Sequence, residues 1–154
     1  MDETRKIEVL DMYLNDMELN REFVTESVRV DREKMVAFAM EYDPFRLHYD
    51  EEYAKNTRFG QLVAPGVMTF MSIWAKVMET GFLGEELIAG KSTHIEWFKP
   101  VHVDDVLTGK VRVTKKTQRN PYNGIAEVTT DIYNQNGELV LTDMTESIVK
   151  CRPE

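Results

Sequence analysis

Cysteine occurs once in the 154-residue sequence, as Cys151. A single thiol excludes a disulfide framework within the chain and supplies no zinc-ligand spacing. Placed among the last few residues, it reads as a spectator. Basic charge is scarce as well: 19 Lys and Arg stand against 27 Asp and Glu, a net charge of −8. Nucleic-acid binding normally needs a basic face, so that class is excluded. No stretch approaches the ~20 apolar residues of a membrane-spanning helix. The opening Met1-Asp2-Glu3-Thr4-Arg5-Lys6 lacks the apolar run of a secretory signal. The expectation is a chain of the reducing cytoplasm, with neither nucleic acid nor membrane as partner. Histidine is rare too, and two of the three, His94 and His102, lie in or beside strand-like segments without a paired ligand spacing. Both read as structural, and no metal or redox cofactor is expected. Internal repeats and low-complexity linkers are absent.

What remains is ordinary globular material, 42% hydrophobic and 30% charged, enough for one domain with a proper core. Residues 7–17 place Ile7, Leu10, Leu14 and Met17 on one helical face, so residues 1–21 read as an extension with a short helix. That helix packs on something, a partner subunit among the options; a polar arm is the alternative. Residues 22–154 then form a single domain. From Phe23 to Val30 alternation predicts a strand with Val24, Val28 and Val30 on one side, interrupted at Glu26. Asp31 caps a helix carrying Met35, Phe38, Ala39 and Tyr42. The Asp43-Pro44 step ends it, because a residue before proline is pushed out of the α region. Asp50 to Lys55 reads as a short helix, acidic at its start and basic at its end. From Gly66 to about Thr80 runs the most apolar helix, with Val67, Phe70, Met71, Trp74 and Met78 as its main stripe and Gly81 as its stop. It should be mostly buried and wrapped by a sheet. Strands follow at His94–Phe98, Val106–Thr114, Ala126–Ile132 and Val140–Ile148, joined mainly by hairpins, one at Asn136-Gly137 and another turn at Asp104-Asp105. Helices followed by strands indicate an α+β fold with an antiparallel sheet on one side of a buried helix.

Two segments carry chemistry. Asp43-Pro44-Phe45-Arg46-Leu47-His48-Tyr49-Asp50 puts an acid and a histidine five residues apart on an irregular loop, which is how proton-transfer groups are often held. Alone, Asp43 is as readily a helix-end residue and His48 a structural one. Phe59-Gly60-Gln61-Leu62-Val63-Ala64-Pro65-Gly66 then leads into a helix N-terminus, where free amides and the dipole favour negative charge. Gly66, lacking Cβ, lets its N–H approach a ligand, although it would equally allow tight packing.

The run from Asp43 to His48, followed by Asp50, resembles the hydratase signature of the MaoC-like dehydratases, which include the (R)-specific enoyl-CoA hydratases. Phe59 to Thr69 is similar to that family's second block, and Trp97-Phe98-Lys99-Pro100-Val101 through Leu107 to its later strand connection. The three blocks occur in family order across roughly residues 22–150. The resemblance implies a hot dog fold, a sheet wrapped around a long helix, and a homodimer or higher homo-oligomer with active sites near the subunit interface. It implies a hydro-lyase that reversibly adds water to a trans-2-enoyl thioester. Coenzyme A or the phosphopantetheine of an acyl carrier protein would enter only as part of the substrate. Asp43 and His48 would share the water; Gly66, with Val67 beside it, would stabilise the thioester oxyanion; Phe45, Tyr49, Gly60, Ala64 and Pro65 would contact substrate.

The chain departs from its relatives inside the first block, where Phe45 and Arg46 occupy positions often held by Asn, Pro or Gln. Arg46 could pair with Asp50 or with a substrate phosphate, and Arg112, Lys115, Lys116 and Arg119 are candidates for a basic entrance. A hot dog thioesterase is the first alternative. It would need a carboxylate on or near the central helix, yet no acid occurs between Gly66 and Lys76, and Glu79 lies near the helix end. A non-catalytic acyl-CoA-binding subunit is the second.

Overall fold

The computed structural model describes residues 12–154. Ile7 and Leu10 of the expected N-terminal helix lie outside those residues. The part that is described forms one 3₁₀ turn, Leu14–Asp16, not a continuing helix. Leu14 and Met17 are buried in the domain's own core. The Lys116 ammonium holds the turn by donating to the carbonyls of Leu14 and Met17.

The first strand is broken in two, β1 (Phe23–Val24) and β2 (Val28–Arg29), both paired with β4 (Val106–Gln118). Phe23 faces Val111 but Val28 faces Leu107, so one extra residue lies between the two halves. Such a bulge reverses which side faces inward. Thr25 and Val30 are buried while Val24 is 58% exposed, correcting the expectation that Val24, Val28 and Val30 share one face. Glu26, where the apolar alternation fails, sits in the bulge.

Asp31 accepts a hydrogen bond from the Lys34 amide and starts α1 (Arg32–Tyr42), which ends at Asp43 as the proline requires. Asp50 caps the short α2 (Glu51–Lys55) in the same way. The long helix α3 spans Gly66–Glu79 and lies on one face of a curved antiparallel sheet ordered β1-β4-β5-β6-β3. The remaining strands are β3 (Leu87–Trp97), β5 (Asn123–Tyr133) and β6 (Leu139–Lys150). This is the hot dog arrangement, a mixed α+β fold. Gly109 of β4 makes the close approach possible, since a Cβ there would stand 2.6 Å from Ile73 Cγ2 of α3.

Two expectations need correction. The face of α3 that meets the sheet carries Phe70, Ile73 and Val77, whereas Val67, Met71 and Met78 are 49%, 47% and 41% exposed. The apolar arc of α3 is wider than the face the sheet covers, so its pattern does not mark which part of the arc is buried. In addition, β3 and β4 do not form a hairpin. β3 is the edge strand beyond β6, and residues 98–105 cross the end of the sheet to reach β4, with Asp104-Asp105 turning into it. That crossing passes the start of α3.

Candidate active site

The loop after α1 and the loop before α3 are tied together by the Val63 amide, which donates to Leu47 O at 3.1 Å. The second loop is anchored to the crossing segment by the Ala64 amide on Val101 O, 2.7 Å, and by His102 Nδ1 on Leu62 O, 2.9 Å. His102 is thus structural, and His94 meets only Glu96 on the surface.

These ties bring Asp43, His48, Ala64, Gly66 and Val67 to the wall of one cavity of about 450 Å³, a size suited to a small-molecule ligand. His48 is buried, with Nδ1 2.6 Å from Val63 O and Nε2 3.1 Å from Asp43 Oδ2. A carbonyl can only accept, so Nδ1 carries a proton and donates it. Nε2 then faces the Asp43 carboxylate, whose side chain is about half exposed at the cavity wall.

Behind the pair, the Phe45 ring meets the His48 ring edge-on, centroids 5.4 Å apart at 83°. Arg46 turns the other way, donating through Nε and Nη2 to Asp50 Oδ2 at 3.2 and 3.0 Å and covering the Tyr53 ring. The Tyr53 amide above all, and then Arg46, hold the Asp50 carboxyl below the usual carboxylate range.

The helix side of the cavity is the α3 N-terminus. Pro65 precedes it and provides neither an N–H nor a side-chain cap. The first helical bond is Thr69 N to Pro65 O at 3.2 Å, so the amides of Gly66, Val67 and Met68 have no intrahelical partner. A Cβ on Gly66 would lie 2.4 Å from Trp97 Nε1 and 2.5 Å from its Cε2. Trp97 therefore fills the space a side chain at Gly66 would occupy.

Of the expected substrate contacts, Ala64 lines the cavity and Phe45, Tyr49, Gly60 and Pro65 do not. Tyr49 closes the 3₁₀ turn Arg46–His48, Gly60 borders a separate depression beside Arg32 and Glu51, and Pro65 is buried beneath the helix start. The cations at the cavity are Arg58 and Lys99. Those expected are engaged elsewhere: Arg112 with Asp131, Lys116 with Leu14 and Met17, Arg119 with Asn123. Lys115 faces Glu127 across the β4–β5 ladder. Trp97, Arg58 and Lys99 went unread as site residues, although all lie in or beside the blocks carrying the family resemblance. An apolar hollow of about 250 Å³ at the other end of α3, walled by Met17, Phe23, Phe82 and Val113, contains no histidine. Among the described residues no group of three or more His, Cys, Asp or Glu could hold a metal ion, and no helix is long and apolar enough to cross a membrane.

The family described as "MaoC like domain" matches residues 15–134. YdeM, an uncharacterized protein of Bacillus subtilis strain 168, is 33% identical over 140 residues, covering 90% of this chain and 99% of its own. The crystal structure of a MaoC-like dehydratase from Rhodospirillum rubrum superposes with a TM-score of 0.81 at 30% identity, over 93% of this chain and 99% of that one. The (R)-hydratase of A. caviae involved in PHA biosynthesis does so with a TM-score of 0.70 at 27% identity, over 88% and 98%.

Proposed function

The chain belongs to the MaoC-like domain family, and we propose that it is a hydro-lyase adding water reversibly to a trans-2-enoyl thioester of coenzyme A or acyl carrier protein. The observation that carries this reading is the Asp43–His48 contact of 3.1 Å in one cavity with the free α3 amides.

A water seated against both side chains is activated as follows. The Asp43 carboxylate takes a proton from the water while its oxygen bonds to C3. The C2–C3 π pair shifts toward the carbonyl, leaving negative charge on the thioester oxygen. The Gly66 amide, with Val67 next in the helix, receives that charge at the positive end of the α3 dipole. His48 Nε2–H then protonates C2. Asp43 returns its proton to His48, and the pair is restored. Dehydration is the same path reversed. Arg58 at the wall suits an anionic group of the substrate, while Lys99 is ion-paired with Glu138.

Asp43→Asn and His48→Ala should each lower crotonyl-CoA hydration by at least ~10²-fold, the scale of a lost general acid or base, with unfolding midpoints near wild type. Undiminished turnover in either variant would sink the proposal. Free thiol released from a saturated acyl-CoA would point to a thioesterase instead; binding without any turnover would point to a non-catalytic acyl-binding subunit. We further propose a homodimer formed through the β3 edge and the exposed Val67–Met71–Met78 row.

A further inference from the structure

The cavity holds one donor that this mechanism leaves unused. Trp97 ends β3 at the point where the chain begins its crossing toward β4. Its ring lines the same cavity as Asp43, His48 and Gly66, half exposed, and no atom of the described residues accepts from its indole N–H. Its nearest approach to the helix is at Gly66, where Nε1 would stand 2.4 Å from a built Cβ.

The direction of that approach matters. The built Cβ lies 2.4, 2.5 and 2.9 Å from Nε1, Cε2 and Cζ2, so the indole lays its face over Gly66 and its in-plane N–H lies beside the first turn, whose amides have no intrahelical partner. Three features meet at this spot: backbone N–H groups without partners, a neutral side-chain N–H without a partner, and an acid–histidine pair across the cavity. A neutral donor strengthens in effect as charge develops on an acceptor, without adding charge of its own.

We propose that the Trp97 indole N–H is a second donor to the thioester oxygen, acting with the Gly66 amide, so that Trp97 is a catalytic residue. On this view the bare Cα of Gly66 serves the indole as well as the ligand, because any side chain there would push the ring off the helix start. The inference rests on the hydro-lyase reading and adds to it a residue of the oxyanion site.

The test is Trp97→Phe, which keeps an aromatic ring over Gly66 and removes the N–H. Full-length wild type and variant, at equal oligomeric state by sedimentation velocity, are compared for crotonyl-CoA hydration and for the absorption band of bound 2,4-hexadienoyl-CoA, whose red shift reports polarisation of the carbonyl. The expected result is a kcat lower by about ten- to a hundred-fold, the lower range for a lost oxyanion donor. KM should stay within about twofold, and the red shift should be smaller. Two results would overturn the inference: kcat within about twofold of wild type, or a fall in kcat with an unchanged red shift, which would make the ring a packing element only. If wild type hydrates no enoyl thioester, the hydro-lyase reading fails first. If wild type turns over and Trp97→Phe matches it, only the role of Trp97 fails.

Discussion

Asp143 is the one acid buried among the described residues, and burial makes its ionised form costly. It stands on β6 facing Thr93 and Thr145. Both hydroxyls contact its carboxyl, the Thr145 bond being 2.6 Å, and the two hydroxyls are 2.7 Å from each other. Both threonines donate to the carboxyl, which offsets part of the cost of burying it. Burial pushes it above the usual carboxylate range, against the opposing pull of Thr145, Thr93 and His94. The unfolded chain therefore gives up this proton at a lower pH than the folded one. The resulting stability is fully present below the ordinary carboxylate pKa and is lost as pH rises through the elevated folded value. Asp50, Glu51 and Glu138 behave oppositely, held low by the Tyr53 amide, Arg32 and Lys99 respectively. Wild type and Asp143→Asn share those three, so they cancel in a comparison. Urea unfolding should show wild type losing stability relative to Asp143→Asn as pH rises from about 4 toward neutrality. A difference that does not vary with pH would contradict the upward shift of this carboxyl.

Among the elements, α3 and its contact with β4 decide whether the sheet can wrap. Gly109→Ala would drive a methyl to 2.6 Å from Ile73 Cγ2, where close-packed neighbours have little room to give. The expected cost is about 1–3 kcal/mol, read as a lower urea midpoint. Gly109→Ala combined with Ile73→Ala, which removes Cγ2, should cost less than the sum of the two single losses, and full additivity would argue against a direct clash. The limits of α3 were legible in the residues, since Ala64-Pro65-Gly66 and Gly81 punctuate it, and so were α1 and the β4–β5–β6 meander. The first half of β3 was not. Residues 89–94 are all exposed along an unpaired edge, so no apolar alternation marks them. The bulge near Glu26 showed only as a fault in the pattern. The acid–histidine pair was legible because a pre-proline stop and its spacing are local. Trp97, Arg58 and Lys99 reach the cavity only through the crossing from β3 to β4, a long-range path that no local pattern encodes.

At the scale of the whole molecule, one side of the domain is unfinished. β3 presents an exposed edge, with Ile88, Trp97 and Phe98 about half exposed along it or just beyond its end. Val67, Met71 and Met78 line the adjoining face of α3. An open edge beside an apolar row invites pairing with another chain. In a closed two-fold assembly the same surface serves both partners, and the edge disappears once two β3 strands pair. The row begins at Val67, so the proposed interface adjoins the proposed oxyanion site. Sedimentation velocity should therefore give twice the mass of one chain. Met71→Glu lies four residues beyond Val67 on the free side of α3 and leaves Phe70, Ile73 and Val77 in place. It should shift the protein toward monomer, with unfolding of the isolated subunit little changed. Hydration should fall in parallel with the dimer fraction and return at high protein concentration. A Met71→Glu protein that stays dimeric would place the interface elsewhere. One that becomes monomeric with full activity would show that a single subunit completes the site, with Asp43, His48 and the α3 amides all supplied by one chain.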